Sequence, residues 1–310
     1  MCIANNVSII IPTYNRCKLL FEVLPSYLNQ NHVCEVIIVD DGSEIPVQEA
    51  LLSSEIIDKR IHVIRQNRSM GSCSARNTGI LAAKAPWVFF GEDDLILSEK
   101  HIENLHTERV KLGADIICGN IIQQQSNESF ADACKQIATH RIPYILNNRL
   151  ISIEYGSIHK PVELPFAHAI FLAPTRLLRT YLFTTRIGGP SFIREDQELQ
   201  LTLRKAGYRL FAIPNAVGFH LAKSKSHGSG TRLNNSIFIH IASNIINTWQ
   251  VINAHYETIA PFFGGISKKV MMRRVFFWTI VIEIKRKLQL EYPFVDNVIC
   301  ILRKKIALSG

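Results

Sequence analysis

The sequence predicts an α/β fold. A mostly parallel sheet carries helices on both faces and is followed by a helical C-terminal extension. Three observations predict it. Short, continuous apolar runs recur through the first 122 residues; stretches with helical spacing separate them; and from Ser236 onward the spacing is helical to the end. Apolar runs without polar alternation are the mark of strands buried on both faces, and helical segments between them are the mark of crossover connections. In such sheets ligands gather at the carboxyl ends of the strands.

The elements follow in order. Val7–Pro12, Val36–Val39, Ile61–Ile64, Trp87–Phe90 and Ile116–Ile122 are strands, with helices over Lys18–Asn29, Val47–Asp58, Cys73–Ala83 and Ser98–Leu112 between them. Residues 123–165 are less regular and predict a variable loop and helix region. Phe166–Ala173 reads as a further strand. Asp196–Ala206 is a helix because Leu199, Leu203 and Ala206 share a face and Gly207 follows as its stop. Arg209–Ile213 and Ala216–Leu221 read as two short strands around Pro214, and Lys223–Arg232 as a Gly/Ser/Lys loop. The division is therefore a domain over 1–230, with halves over 1–122 and 123–230, and an extension over 231–310.

Composition removes several classes of protein. With 47% hydrophobic and 20% charged residues, the chain is neither disordered, collagen-like nor a disulfide framework. Seven scattered cysteines include no CxxC pair, which argues against a zinc site of the usual spacing and fits reduced thiols in a cytoplasm. The first residues lack the basic start of a signal peptide. Leu233–Tyr256 has no Lys, Arg, Asp or Glu, but its five Asn, one Gln and two His are too polar for hydrocarbon. The formal net charge of +9 is concentrated at the end, where residues 267–310 carry 10 basic and 3 acidic groups. A basic tail on a near-neutral body points to an anionic partner.

The polar residues just past the strands carry the chemistry. Glu92-Asp93-Asp94 ends the fourth strand, and three adjacent acids repel unless a cation lies among them; a divalent ion of the Mg²⁺ or Mn²⁺ type suits such a set. In isolation the same acids would be a solvated helix start. Asp40-Asp41-Gly42-Ser43 follows the second strand, where an acid can accept a hydrogen bond from a ribose or a base, although it is also good turn chemistry. Gly71 to Gly79 opens a helix with small residues, and Arg76 one turn in can reach a nucleotide; Ser72 is equally suited to a plain cap. Arg194-Glu195-Asp196 begins a later helix, where an acid can be a general base or simply complement the helix dipole. His220 lies on a short apolar strand and matters chiefly if a metal is close.

Together VSIIIPTYNR, EVIIVDDGS, NRSMGSCSARNTGI, WVFFGEDD and REDQELQLTLRKAGYRL resemble family 2 of the glycosyltransferases, in order and in spacing, over residues 7–221. The resemblance implies a GT-A fold, a nucleotide-sugar donor, UDP-linked in the reading adopted here, a divalent cation (Mn²⁺ or Mg²⁺) and inversion at the anomeric carbon. It implies that Thr13 and Tyr14 line the base, that Asp40 and Arg76 contact the nucleoside, and that Asp93 and Asp94 hold ribose and metal. It assigns the base to Asp196 with Glu195 beside it, and a third metal ligand to His220. One departure stands out. The family often reads Asp-x-Asp-Asp where this chain reads Gly91-Glu92-Asp93-Asp94, so the leading acid is absent and Glu92 is an alternative ligand.

These features predict a metal-assisted glycosyltransferase acting on a glycan or lipid-linked glycan, with the Lys223–Arg232 loop suited to close over the diphosphate. The rival is a catalytically weak nucleotide-sugar-binding or membrane-adaptor protein. A Rossmann dehydrogenase would need a GxGxxG turn after the first strand, which has Pro12 to Arg16 instead. No nucleic-acid partner is expected, and homo-oligomerisation is open. Lys268-Lys269, Arg273-Arg274 and Lys285-Arg286-Lys287 bracket apolar Val275–Ile282, so residues 267–310 can lie on a membrane surface or pack on the body. The expected location is the cytoplasm, peripheral to the inner face of the membrane.

Overall fold

The computed structural model describes residues 6–124, 131–132, 146–153, 158–184, 194–221 and 237–291, with side chains in the last segment described for 241–282. The first half builds as the apolar runs dictate. Strands β1 (Val7–Thr13), β2 (Val33–Asp40), β3 (Ile61–Arg65) and β4 (Trp87–Phe90) lie in the order β3-β2-β1-β4, all parallel. Alternate residues of each inner strand feed opposite cores. Ile10, Ile37, Val39, Val88 and Phe90 enter one cluster, and Ile9, Ile11, Val36, Ile38 and Phe89 the other. This is why these strands are apolar throughout.

Helices α1 (Cys17–Leu28) and α4 (His101–Leu112) cover the second cluster with Leu20, Val23, Leu24, Ile102 and Leu105. Helix α3 (Ser72–Ala82) covers the first, and it lies so close to β1 that a Cβ on Gly79 would come 2.4 Å from Cγ2 of Ile10. Any larger residue there would push the helix, with Arg76 on it, off the sheet. Helix α2 is confined to Val47–Leu52, shorter than the spacing suggests, and α4 begins at His101 rather than Ser98.

The sheet continues beyond β4 and becomes mixed. Strand β6 (Ile116–Gln123) pairs in parallel with β11 (Leu210–His220), while β10 (Leu172–Pro174) runs antiparallel between β4 and β6. The expected strand over Phe166–Ala173 is thus reduced to its end. The two short strands expected around Pro214 are one strand, whose register against β6 shifts between Ala212 and Val217. Proline lacks the N–H a regular ladder needs, and the shift accommodates it. Strand β5 (Leu95–Leu97), not foreseen, pairs antiparallel with the end of β11, placing Leu95 opposite His220. Strand β9 (Val162–Glu163) pairs antiparallel with β11, and β7 (Leu146–Asn147) with β8 (Ser152–Ile153) forms a separate hairpin.

Helix α5 (Thr175–Thr180) follows β10, and α6 (Glu195–Lys205) leads back toward β11. The chain closes with α7 (Ile237–Ile259), a 3₁₀ turn over Ala260–Phe263 and α8 (Lys268–Glu291). Val251, Ile252 and Ile259 of α7 and Met271 and Val275 of α8 join the same cluster as Leu199 and Leu203 of α6. The C-terminal helices therefore share the core on the α6 side. Among the described residues no helix is long and apolar enough to cross a membrane. The expected loop Lys223–Arg232 lies outside the described residues.

Candidate active site

The carboxyl ends of β1, β2, β4 and β11 and the N-terminus of α6 meet where the sequence places its polar motifs. Three acids follow β4 and face different ways. Glu92 turns to β11: its Oε2 lies 2.7 Å from His220 Nε2, and Asp94 Oδ1 lies 3.4 Å from the same nitrogen. Ligand atoms of Glu92, Asp94 and His220 all fall within 4.8 Å of one another. Two carboxylates and an imidazole form an oxygen-and-nitrogen donor set that suits Mn²⁺ or Mg²⁺ better than a soft metal. Asp93, expected to share the metal, turns instead to β1. It accepts from Thr13 Oγ1 at 2.8 Å and from Arg16 Nη1 at 2.6 Å, while Arg16 Nη2 donates to Asp94 Oδ2 at 2.6 Å. The residue that stands beside Asp94 and His220 in the cluster is Glu92.

Gly91 has a steric reason. A Cβ there would lie 2.7 Å from Cε1 of Tyr27, whose ring is fully buried. The Tyr27 hydroxyl donates to the Glu92 carbonyl at 2.9 Å and accepts from the Glu92 N–H at 3.0 Å. The tyrosine thus occupies the space a side chain at 91 would need and clamps the peptide that carries Glu92.

Electrostatics follow from these contacts. Burial works against the Glu92 charge, but the hydrogen bond and charge of His220 outweigh it and hold the carboxyl at about 2. Burial would likewise lower His220, yet Glu92 and Asp94 raise it to about 9. For Asp93, burial dominates over Arg16 and pushes the carboxyl up to about 7. Nearby, His168 is buried with its Nε2 3.2 Å from the Gly119 carbonyl oxygen, and burial lowers it to about 4.

Arg76 joins this cluster to the later acidic pair. Its guanidinium is 4% exposed, with Nη2 3.7 Å from Glu92 Oε1 and Nη1 3.6 Å from Glu195 Oε1. Its Nε and Nη1 have no hydrogen-bond acceptor among the described residues. Ser72 spends its hydroxyl on Glu195 Oε1 at 3.0 Å rather than on capping α3. Asp196, next to Glu195 in the first turn of α6, is raised to about 7 by burial and then by the Glu195 charge.

The remaining expected residues divide. Thr13 reaches the acids through Asp93, and Tyr14 is half-buried at the same strand end. Asp40, expected on the nucleoside, is fully buried. Its oxygens accept from the Ser43 and Val47 N–H groups at 2.8 and 3.1 Å and from Arg65 at 2.6 Å. These contacts tie it to the loop after β2 and to Arg65. Asp41 likewise ties down Ser69, Met70 and Gly71 ahead of α3. Arg16 and Tyr27 had no assigned role in the sequence. The one signal for Arg16 was its place in the motif after β1.

The sequence profile described as glycosyl transferase family 2 matches residues 8–162, half of the chain. The chain belongs to glycosyl transferase family 2. Relatives include Glycosyltransferase GlyG of Streptococcus pneumoniae serotype 4, 33% identical over 115 residues, which are 37% of this chain and 38% of GlyG. The poly(ribitol-phosphate) beta-N-acetylglucosaminyltransferase TarP of Staphylococcus aureus is 32% identical over 120 residues, 36% of each chain. The match thus spans well under half of these relatives' length. Among solved structures, S. aureus TarS 1-349 in complex with UDP-GlcNAc superimposes with a TM-score of 0.52 at 14% identity, over 83% of this chain and 73% of that one. This family member therefore shares its fold with TarS 1-349, and the first-half motifs fall inside the matched profile.

Proposed function

We propose that the chain is an inverting glycosyltransferase that moves a sugar from a UDP-linked donor to a hydroxyl of a glycan or lipid-linked glycan. The catalytic domain is residues 1–230 and the extension 231–310. One observation carries the reading: buried Arg76 lies within 4 Å of both Glu92, in the metal-capable cluster, and Glu195, beside the candidate base. Donor and acceptor chemistry therefore converge on one guanidinium.

In this reading Asp196 accepts the proton of the acceptor hydroxyl as that oxygen bonds to the anomeric carbon and the bond to the diphosphate breaks. Burial raises Asp196 into the range where an aspartate is a useful base near neutrality. Arg76 offers the nucleotide Nε and Nη1, which make no hydrogen bond among the described residues, and Glu195, fixed by Ser72, faces it. Thr13, Tyr14 and Asp93 line the nucleotide at the ends of β1 and β4. Glu92, Asp94 and His220 would hold the divalent cation, which when bound supplies charge neutralisation for the leaving diphosphate. The solved TarS complex with UDP-GlcNAc supports the UDP class of donor.

The test is a panel of UDP-sugars assayed for Mn²⁺-dependent turnover, with Asp196→Asn as the control. Donor binding without any turnover, equal in wild type and Asp196→Asn, would favour the rival, a nucleotide-sugar-binding protein that has lost catalysis.

A further inference from the structure

The two C-terminal helices leave a groove with an unusual lining. Helix α8 buries Met271, Val275 and Thr279, spaced by four, against the body. The opposite face of such a helix ordinarily carries charged and polar groups. Here it carries Phe277 at 58% exposure and Val270, and Phe276 on the flank facing α7 is 47% exposed. Phe276 meets Trp249 of α7 with ring centroids 6.3 Å apart, and the Trp249 indole N–H donates to the Met272 carbonyl at 3.3 Å. Between the helices lies a groove of about 660 Å³ walled by Trp249, Met272 and Phe276 and edged by Lys268, Lys269 and Arg273.

The charged side chains that line it are all basic. Residues 237–282 contain Lys268, Lys269, Arg273 and Arg274 but a single acid, Glu257. On α8, Lys269, Arg273 and Phe276 follow one another at helical spacing, so basic and aromatic groups occupy one stripe. Placement is firm because Trp278, on the neighbouring turn, lies under the Arg149 guanidinium, 4.2 Å from its ring centroid.

We propose that this face binds the surface of an anionic phospholipid membrane, with Phe276, Phe277 and the Trp249 edge in the headgroup–acyl boundary and Lys268, Lys269 and Arg273 on the phosphates. Aromatic rings flanked by lysine and arginine are suited to that boundary. A second copy is the poorer occupant. A two-fold contact would set the same basic stripe against itself, and like charges across an interface cost affinity. The proposal is independent of donor, acceptor and metal.

The experiment is co-flotation of the full chain with vesicles of phosphatidylcholine alone and of phosphatidylcholine with phosphatidylglycerol. Binding to the anionic vesicles, weakened by salt, is expected. Lys269→Ala with Arg273→Ala should lower the partition coefficient about 30-fold, from the per-residue attraction of basic groups to anionic surfaces. Phe276→Ser with Phe277→Ser should weaken binding to the same vesicles while the chain keeps a cooperative melt at a lower temperature, because Phe276 packs on Trp249. Equal binding to neutral and anionic vesicles, binding to neither, or indifference to both pairs of substitutions overturns the proposal. So does light scattering that shows a dimer dissociated by the phenylalanine substitutions.

Discussion

Gly91→Ala is the smallest change that tests how the acidic motif is held. Its added Cβ would lie 2.7 Å from Cε1 of Tyr27 and 2.9 Å from both Cζ and the hydroxyl oxygen. Comfortable carbon contacts begin near ~3.5 Å, so the ring or the strand must yield by on the order of 1 Å. Tyr27 has no free space because it is fully buried. Overpacking of this kind costs about 1–3 kcal/mol. Moving the ring also strains its two hydrogen bonds to the Glu92 peptide, each contributing about 0.5–1.5 kcal/mol. The terms sum to roughly 2–6 kcal/mol, which at about 2–4 °C for each kcal/mol lowers the melting temperature by roughly 4–24 °C. Glu92 should shift from His220, so calorimetric Mn²⁺ binding weakens as well. Tyr27→Leu removes the colliding ring edge, and in the double variant the two effects should be less than additive. A melting temperature and Mn²⁺ affinity for Gly91→Ala within error of wild type would refute the steric account.

Other expectations follow from the same contacts. Glu92→Gln and His220→Asn should each weaken Mn²⁺ binding measured without nucleotide, whereas Thr13→Val should leave it intact; the reverse order would return the metal to Asp93. Asp196→Asn should lower turnover by about 10²–10⁴. Because a base acts in its ionised form and Asp196 is raised to about 7, wild-type kcat/KM should rise with pH through about 7. A pH profile that keeps this limb in Asp196→Asn assigns it elsewhere. Asp40 is depressed: burial opposes its charge, but hydrogen bonds from Ser43, Val47 and Arg65 prevail. Its contribution to stability is therefore present above the unfolded value and is lost as pH falls through the folded one. Asp40→Asn should destabilise the chain in neutral urea melts and much less in acid; equal loss at both would show the carboxylate charge to be unimportant.

The half of the chain built from two-sided strands was legible because a strand buried on both faces has to be apolar at every position. Ile9, Ile10 and Ile11 say this without help from any neighbour. Helix α6 was legible for a related reason, its apolar positions and following glycine recording one local choice. What the sequence left hidden depended on distant partners. Leu95–Leu97 is three residues long and is a strand only because the end of β11 lies beside it. Pro214 looked like a break between strands, and the structure absorbs it as a register shift. Asp40 was placed at the correct strand end, yet nothing local foretold that Arg65 and two backbone N–H groups would consume its carboxylate. Gly91 read as a lost acid, and only Tyr27, 64 positions away in sequence, reveals the space it keeps open.

The three adjacent acids illustrate how one motif can serve two neighbours. Glu92, Asp93 and Asp94 would repel one another if all faced one way, and a single cation could not satisfy them equally. The chain separates them. Asp93 faces β1, where Thr13 and Arg16 hold it; Glu92 faces β11, where His220 holds it; Asp94 lies between, touching both Arg16 and His220. The protein's own cations thus balance the motif from both sides. In the proposed reading the two directions acquire different tasks. The Asp93 side, backed by the β1 end, meets the nucleotide. The Glu92–Asp94–His220 side, clamped by Tyr27, meets the metal. An acid at 91 would require the room that Tyr27 fills, so in this chain the acid beside Asp94 and His220 stands at 92.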